Sequence, residues 1–126
     1  MEKLHTCCEK THKLLEGGHY KESHYQRILA HFLQEEGMTV SLEQVLDYTF
    51  TLEGRKIYAG FGRMDCVVTC QSGKKYVLEL KVSNVCKHEF LQQLDRYLKH
   101  FPCDGGYLVI FSSSFCPKIY PKKNGT

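Results

Sequence analysis

Hydrophobic residues recur at two different spacings along the chain, and these spacings divide it into predicted elements. Residues from about Leu4 to Glu16 fit a short helix closed by Gly17-Gly18, because glycine readily adopts the left-handed geometry of a helix C-terminus. A second helix is predicted from about Lys21 to Glu36, with Gly37 as its stop. Its apolar stripe consists of residues three and four positions apart, namely Tyr25, Ile28, Leu29, Phe32 and Leu33.

From Met38 to about Val82 the spacing of apolar residues changes to two, with β-branched and aromatic residues separated by turn signals. This pattern predicts a run of antiparallel strands. Turns are expected at Glu53-Gly54-Arg55 and at Gln71-Ser72-Gly73-Lys74. The strands paired across these turns are Val45 to Leu52 with Lys56 to Gly60, and Asp65 to Cys70 with Tyr76 to Val82.

A third amphipathic helix is predicted after Ser83-Asn84, which suit an N-cap, and it ends before Pro102. The apolar run from Tyr107 to Phe111 suits a buried strand that lies parallel to a neighbour after a helical crossover. The order helix, antiparallel strands, helix, strand predicts an α/β fold with a mixed sheet flanked by helices. The stripe of the third helix is formed by Phe90, Leu91, Leu94, Tyr97, Leu98 and Phe101.

Length and composition fit one globular domain over residues 1–126, with 42% hydrophobic and 25% charged residues. No apolar run approaches the roughly 20 residues that cross a bilayer, and the N-terminal segment lacks a signal peptide's apolar stretch. We therefore expect an intracellular protein, cytoplasmic or nuclear, with no membrane association. The 7 cysteines are odd in number and include no CxxC pair, so reduced thiols are expected rather than disulfides or a structural zinc site.

The charge balance is mildly basic, with a formal net charge of +3 and a sequence pI near 8.4. This charge permits contact with phosphate groups but does not require it. The clearest basic segment is the tail, residues 113–126, which contains Lys118, Lys122 and Lys123. The tail can touch a nucleic acid backbone, but we favour a solvated, frayed chain end.

Three charged residues are expected to converge on the second hairpin. Asp65 and Glu79 stand on its two arms at nearly equal distances from the turn at Ser72-Gly73, so they should lie almost opposite each other. Opposed Cβ atoms are about 4.5–5.5 Å apart, and two carboxylates at that separation repel unless a cation or proton lies between them. A divalent metal ion would relieve the repulsion. Lys81 projects from the same face about 7 Å further along the strand, within reach of a metal-bound water or a developing anion.

Glu22 is a fourth candidate because it falls on or beside the apolar stripe of the second helix. A carboxylate that faces a core is costly unless something pairs with it. The alternatives are that Glu22 stays in water at a frayed helix end or pairs with a lysine. For Asp65, Glu79 and Lys81 the alternative is an ordinary charged strand face, but the apolar residues on both sides of them favour a site.

Five short segments, in collinear order, carry a family resemblance: Tyr20 to Gln26, Gly62 to Asp65, Tyr76 to Lys81, Gln93 to Leu98 and Gly106 to Phe111. Together they resemble the PD-(D/E)XK nuclease superfamily, whose restriction-endonuclease-like αβββαβ core the order of elements also resembles. The nearer resemblance is to the small GxxExxY proteins of that superfamily, over roughly residues 17 to 112. In this chain His19 stands where that subfamily has its glycine, with Gly18 one place earlier, and this departure leaves the geometry of entry into the second helix open.

The resemblance implies a metal-dependent nuclease that hydrolyses phosphodiester bonds of DNA or RNA. Mg²⁺ or Mn²⁺ would be held by Asp65, Glu79 and the backbone carbonyl of Leu80, because hard cations prefer oxygen ligands. Glu22 would be an outer ligand or a ligand of a second metal ion. Lys81 would orient the attacking water or neutralise charge in the transition state.

Arg63 and Gln93 are the candidates for substrate contact. An ion pair of Arg63 with a nearby carboxylate and a polar role for Gln93 beside the apolar helix face are equally compatible with the sequence. The implied partner is nucleic acid, with DNA favoured over RNA, and a homodimer is open. The alternatives are a junction resolvase that acts as a dimer, and a binding or protein-interaction module that keeps the fold without turnover.

Overall fold

The computed structural model describes residues 1–124 and contains helices and strands in mixed order. The helices are α1 (Leu4–Leu15), α2 (Glu22–Glu35) and α3 (His88–His100). The strands are β1 (Thr39–Leu52), β2 (Arg55–Thr69), β3 (Lys75–Val82), β4 (Gly105–Phe111) and β5 (Lys118–Lys123). Among the described residues, no helix has the length and apolar character needed to cross a membrane.

The strands form one five-stranded sheet in the order β1-β2-β3-β4-β5. The β3–β4 pair is parallel, because α3 connects these strands as a crossover, and the other three pairs are antiparallel. Helices α1 and α2 pack on one face through residues such as Leu29, and α3 packs on the other through residues such as Leu94. The predicted α/β fold, with a mixed sheet flanked by helices, is confirmed.

The first hairpin is longer than the sequence predicts. Strand β2 runs without a break through the segment that we expected to separate two strands, so the division into Lys56 to Gly60 and Asp65 to Cys70 is wrong. The register shifts beside Gly60, which has φ 121°, and Gly62 lies under the ring of Tyr48, where a Cβ would collide. These glycines break the apolar alternation in the sequence without breaking the strand.

Midway along the same hairpin, the inward-facing residues change from one core of the protein to the other. On β1, Leu42 packs with the core under α1 and α2, whereas Leu46 packs with the core under α3. Between them Glu43 has φ 54°, a left-handed conformation that is uncommon for a residue with a side chain. On β2 the change falls between Cys66 and Met64, so Asp65 occupies the point of the switch.

Two expectations about chain segments are corrected. The tail is not a frayed end over Lys118–Lys123, because this segment pairs with β4 from Ile110 to Gly105. Its proline and lysines suit an exposed edge strand. Gly125 and Thr126, at the end of the predicted tail, lie outside the described residues.

The start of α3 also differs from the prediction. The helix begins at His88, after Lys87, so Ser83-Asn84 do not form its N-cap. The Ser83 hydroxyl instead donates a hydrogen bond to the carbonyl of Val85 at 2.9 Å. The Oδ1 of Asn84 accepts one from the Ser112 hydroxyl at 2.7 Å, which ties this loop to the end of β4. These polar groups are therefore used by the loop rather than by the helix.

Candidate active site

The pairing of β2 with β3 stops at Cys66 and Leu78, one residue short of Asp65 and Glu79. At that point the Asp65 side chain takes over the role of the missing backbone partner. The backbone N–H of Leu80 donates a hydrogen bond to Asp65 Oδ2 at 2.8 Å. The structure thus places Asp65 against β3 and beside Glu79. The position of the turn in the sequence predicted this arrangement.

Glu22 occupies the next position along the same edge of β3. It is the first residue of α2, and its Oε1 accepts a hydrogen bond from the backbone N–H of Val82 at 3.4 Å. Since alternate N–H groups of a strand point to the same edge, two carboxylates follow each other along the edge that β2 leaves. The carbonyl of Leu80 points to this edge together with its N–H. In residues 1–124 Glu22 makes no ion pair with a lysine.

The chain enters α2 in an ordered conformation, which fixes Glu22. His19 has φ 55°, a left-handed conformation that is uncommon for a residue with a side chain. The backbone N–H of Lys21 donates to Nδ1 of His24 at 3.1 Å, which caps the first turn of the helix. The alternative of a frayed helix end around Glu22 does not fit these contacts.

Glu79 is the most deeply buried charged residue of the site, with 1% of its surface exposed. Within residues 1–124 its Oε1 has no hydrogen bond partner. Burial, followed by the charge of Asp65, raises the pKa of Glu79 to about 9. Burial also raises the pKa of Asp65, and the hydrogen bond from the Leu80 N–H opposes that rise. The pair therefore favours a state in which a proton or a cation lies between the two carboxyl groups.

Lys81 provides a positive charge next to this pair. Its Nζ lies 3.7 Å from Glu79 Oε2, and its side chain is 20% exposed. The same Nζ lies 5.3 Å from the centroid of the Phe90 ring, in the first turn of α3. A cation held over an aromatic face is attracted to it, so Phe90 restricts where the amine can move.

Arg63 and Gln93, the two candidates for substrate contact, are connected through Tyr97. The Tyr97 hydroxyl donates to the backbone carbonyl of Arg63 at 2.8 Å, and Gln93 Nε2 donates to Tyr97 Oη at 2.9 Å. The Arg63 side chain is exposed and forms no ion pair within the described residues. Sequence reasoning assigned Tyr97 to the core alone. The signal that could have revealed it is its i,i+4 spacing from Gln93 on one helix.

Replacing Tyr97 with phenylalanine is expected to lower the free energy of unfolding by about 1–2 kcal/mol, because one hydroxyl serves two hydrogen bonds and is mostly buried. Urea unfolding followed by circular dichroism measures this change. Tyr76→Phe is the matched control, since the Tyr76 hydroxyl makes no hydrogen bond within residues 1–124 and its loss should change little. Equal midpoints for the two variants would show that the bridge adds no stability.

The donor set fits a hard divalent cation. Two carboxylates and a backbone carbonyl are oxygen ligands, and the unpartnered Glu79 Oε1 is an acceptor that a cation would satisfy. Among the described residues, no group of three or more acidic, histidine or cysteine side chains meets at metal-binding distance.

A family model described as the PD-(D/E)XK nuclease superfamily matches residues 1–120 of the chain. No curated protein gives a significant sequence match. The crystal structure of a protein named SSO0001 superposes with a TM-score of 0.58 at 20% sequence identity, covering 92% of this chain. The chain spans 63% of the length of that protein, and the likeness concerns the fold. The nearer resemblance to GxxExxY proteins stays a prediction.

Proposed function

The chain belongs to the PD-(D/E)XK nuclease superfamily. From this premise we propose that it is a metal-dependent nuclease, and that Asp65, Glu79 and Lys81 form the active site at which it cleaves phosphodiester bonds. The observation that carries the proposal is Glu79 Oε1, a buried oxygen that has no hydrogen bond partner among the described residues and lies beside a second carboxylate. Such an arrangement costs stability in a core unless it serves a bound cation. We propose that residues 1–126 act as one nuclease domain.

The metal ion would be Mg²⁺ or Mn²⁺, held by Asp65, Glu79 and the Leu80 carbonyl. When bound, it polarises the scissile phosphate and lowers the pKa of a water molecule. The carboxylates keep their positions because Asp65 is anchored to the Leu80 N–H and Glu79 is enclosed by the core. Glu22, anchored to the Val82 N–H, would hold water in the outer shell of the ion.

Lys81 would orient the attacking water and neutralise charge as the phosphate becomes more negative in the transition state. Its ammonium group has three N–H donors, and the contact with Glu79 occupies only one side of this group. The exposed guanidinium of Arg63 would bind a phosphate oxygen of the substrate. Gln93, whose Nε2 is engaged by Tyr97, would contact the substrate through its amide oxygen. We propose DNA as the substrate, to be compared directly with RNA.

The proposal predicts that purified protein cleaves a labelled nucleic acid in Mg²⁺ or Mn²⁺ and not in excess chelator. Cleavage is measured on a panel of single-stranded, double-stranded and branched DNA and on RNA of the same sequences. Calorimetric titration with Mn²⁺ tests the site independently, because Asp65→Asn should weaken binding by about tenfold or more. Asp47→Asn is the matched control, since Asp47 is an exposed aspartate of β1. Unchanged Mn²⁺ binding in Asp65→Asn contradicts the metal assignment.

A further inference from the structure

A cleft of about 500 Å³ opens at the carboxyl ends of the parallel strands β3 and β4, next to the candidate active site. Ligands of open α/β sheets commonly bind outside the carboxyl ends of parallel strands, and this volume lies in the range of small-molecule sites. Residues of four segments line it: the end of α1, the loop before α2, the loop after β3 and the loop after β4. They include His12, His19, Tyr20, Asn84 and Ser113.

Within the described residues the lining of the cleft is mixed in polarity and contains no lysine or arginine, and Glu16 contributes a carboxylate. Phosphate groups therefore meet no lysine or arginine in it, whereas Lys81 lies beside Glu79 in the candidate active site. The hydroxyl, amide and imidazole groups of the lining match the donors and acceptors of a neutral base and sugar. The chemistry of the cleft thus suits the uncharged part of a nucleotide.

Asn84 and Tyr20 are both held in fixed positions. Asn84 Oδ1 accepts the Ser112 hydroxyl, which itself accepts the backbone N–H of Ser114 at 3.0 Å, and the Asn84 amide N–H groups have no partner in residues 1–124. Tyr20 lies over Gly18, where a Cβ would collide with its ring, and it meets His24 edge-on at 5.5 Å. With 45% of its surface exposed, Tyr20 offers a fixed aromatic ring at the cleft.

The cleft and the candidate metal-binding edge meet at the carboxyl end of β3. Val82 belongs to the lining of the cleft, and its backbone N–H donates a hydrogen bond to Glu22. Three residues of a strand, from Leu80 to Ser83, span about 10 Å. A nucleic acid strand with its phosphate at Asp65 and Glu79 would therefore have a neighbouring nucleotide at about the distance of the cleft.

We propose that this cleft binds an unpaired nucleotide that flanks the scissile phosphate, with its base against Tyr20 and its polar edge at Asn84. The inference rests on the proposed nuclease function and names its substrate class. A base within a duplex is stacked on both faces and paired along its edge, so it can meet these groups only when it is single-stranded or flipped out. The substrate is thus a nucleic acid with a single-stranded segment at the cleavage position.

Binding is tested by fluorescence anisotropy in the Asp65→Asn background, which keeps the labelled probe intact. The probes are a blunt DNA duplex, the same duplex with an unpaired extension, and single strands of DNA and RNA. The unpaired probes are expected to bind about tenfold more tightly than the blunt duplex. Tyr20→Ala, and separately Asn84→Ala, should remove most of this preference. Tyr58→Ala is the matched control, because Tyr58 is an exposed tyrosine of β2 with 60% of its surface accessible.

The two proposals fail in distinguishable ways. If wild-type protein cleaves nucleic acid but Tyr20→Ala and Asn84→Ala bind all probes as the Tyr58→Ala control does, the cleft assignment is overturned and the nuclease assignment stands. A blunt duplex that binds as tightly as the unpaired probes overturns it as well. If no cleavage is found but the preference for unpaired probes depends on Tyr20 and Asn84, the nuclease assignment fails and nucleotide binding in the cleft stands.

Discussion

Replacing Lys81 with alanine is expected to lower the cleavage rate by about 10²–10³-fold, the cost of removing one preorganised charge at a reacting centre. The fold should persist, because Lys81 is partly exposed. Its partner Glu79 readily takes up a proton when the lysine ammonium group is removed. Mn²⁺ binding should persist as well, since the lysine is not a ligand. Single-turnover cleavage, Mn²⁺ calorimetry and thermal unfolding of the same preparation measure the three quantities.

Lys87→Ala is a closely matched control for this substitution. The Nζ of Lys87 lies 5.9 Å from the centroid of the same Phe90 ring, but it forms no ion pair with Glu79 within residues 1–124. Both variants therefore lose a cation over the Phe90 ring, but only Lys81→Ala also loses the amine beside the carboxylates. If Lys81→Ala and Lys87→Ala cleave at equal rates, Lys81 has no part in the chemistry.

The convergence of Asp65 and Glu79 was predictable because a tight turn fixes which residues oppose each other across a hairpin. The turn near Ser72-Gly73 places Cys66 opposite Leu78, and Asp65 and Glu79 follow directly after this last pair on their two strands. The helices were predictable for a similar reason, since their apolar stripes and terminal glycines are local signals. These parts of the fold and of the candidate site depend on sequence spacing alone.

Other features depend on contacts between distant segments, which spacing does not encode. Tyr97 has the pattern of a core residue, and its bridging role appears only when α3 lies across the Arg63 carbonyl. The change of face at Glu43 and Asp65 requires an unusual backbone conformation that no turn motif announces. Strand β5 pairs through its backbone at an exposed edge, so its sequence, with Pro121 and several lysines, resembles a solvated tail.

The sequence predicts Glu79 as a metal ligand, and this stays a prediction, whereas the energetic consequence of Glu79 follows from its burial. An unfolded chain releases the Glu79 proton near the ordinary pKa of 4.5, whereas the folded protein keeps it until about 9. Between these values the folded state binds more protons than the unfolded state. The free energy of unfolding of the metal-free protein therefore falls as pH rises, by up to about 1.4 kcal/mol per pH unit. A divalent cation offsets this loss because it binds the folded state.

Glu79→Gln is accordingly expected to abolish cleavage and, in chelator at pH 8, to raise the free energy of unfolding by roughly 1–3 kcal/mol over wild type. The neutral amide removes the buried charge, and its N–H groups can donate to Asp65. The difference between variant and wild type should be small near pH 4 and should grow as pH rises from 4.5 toward 9. Urea unfolding at a series of pH values measures it.

Adding Mg²⁺ or Mn²⁺ at pH 8 should reverse the order of stability, because only wild type retains both carboxylates and gains the binding free energy. Glu43→Gln is the matched control, since Glu43 is an exposed glutamate on β1 whose neutralisation leaves the buried pair intact. A Glu79→Gln variant that is less stable than wild type in chelator at every pH would mean that the buried acid supports the fold. If Mn²⁺ raises the free energy of unfolding of Glu79→Gln as much as that of wild type, the cation binds elsewhere.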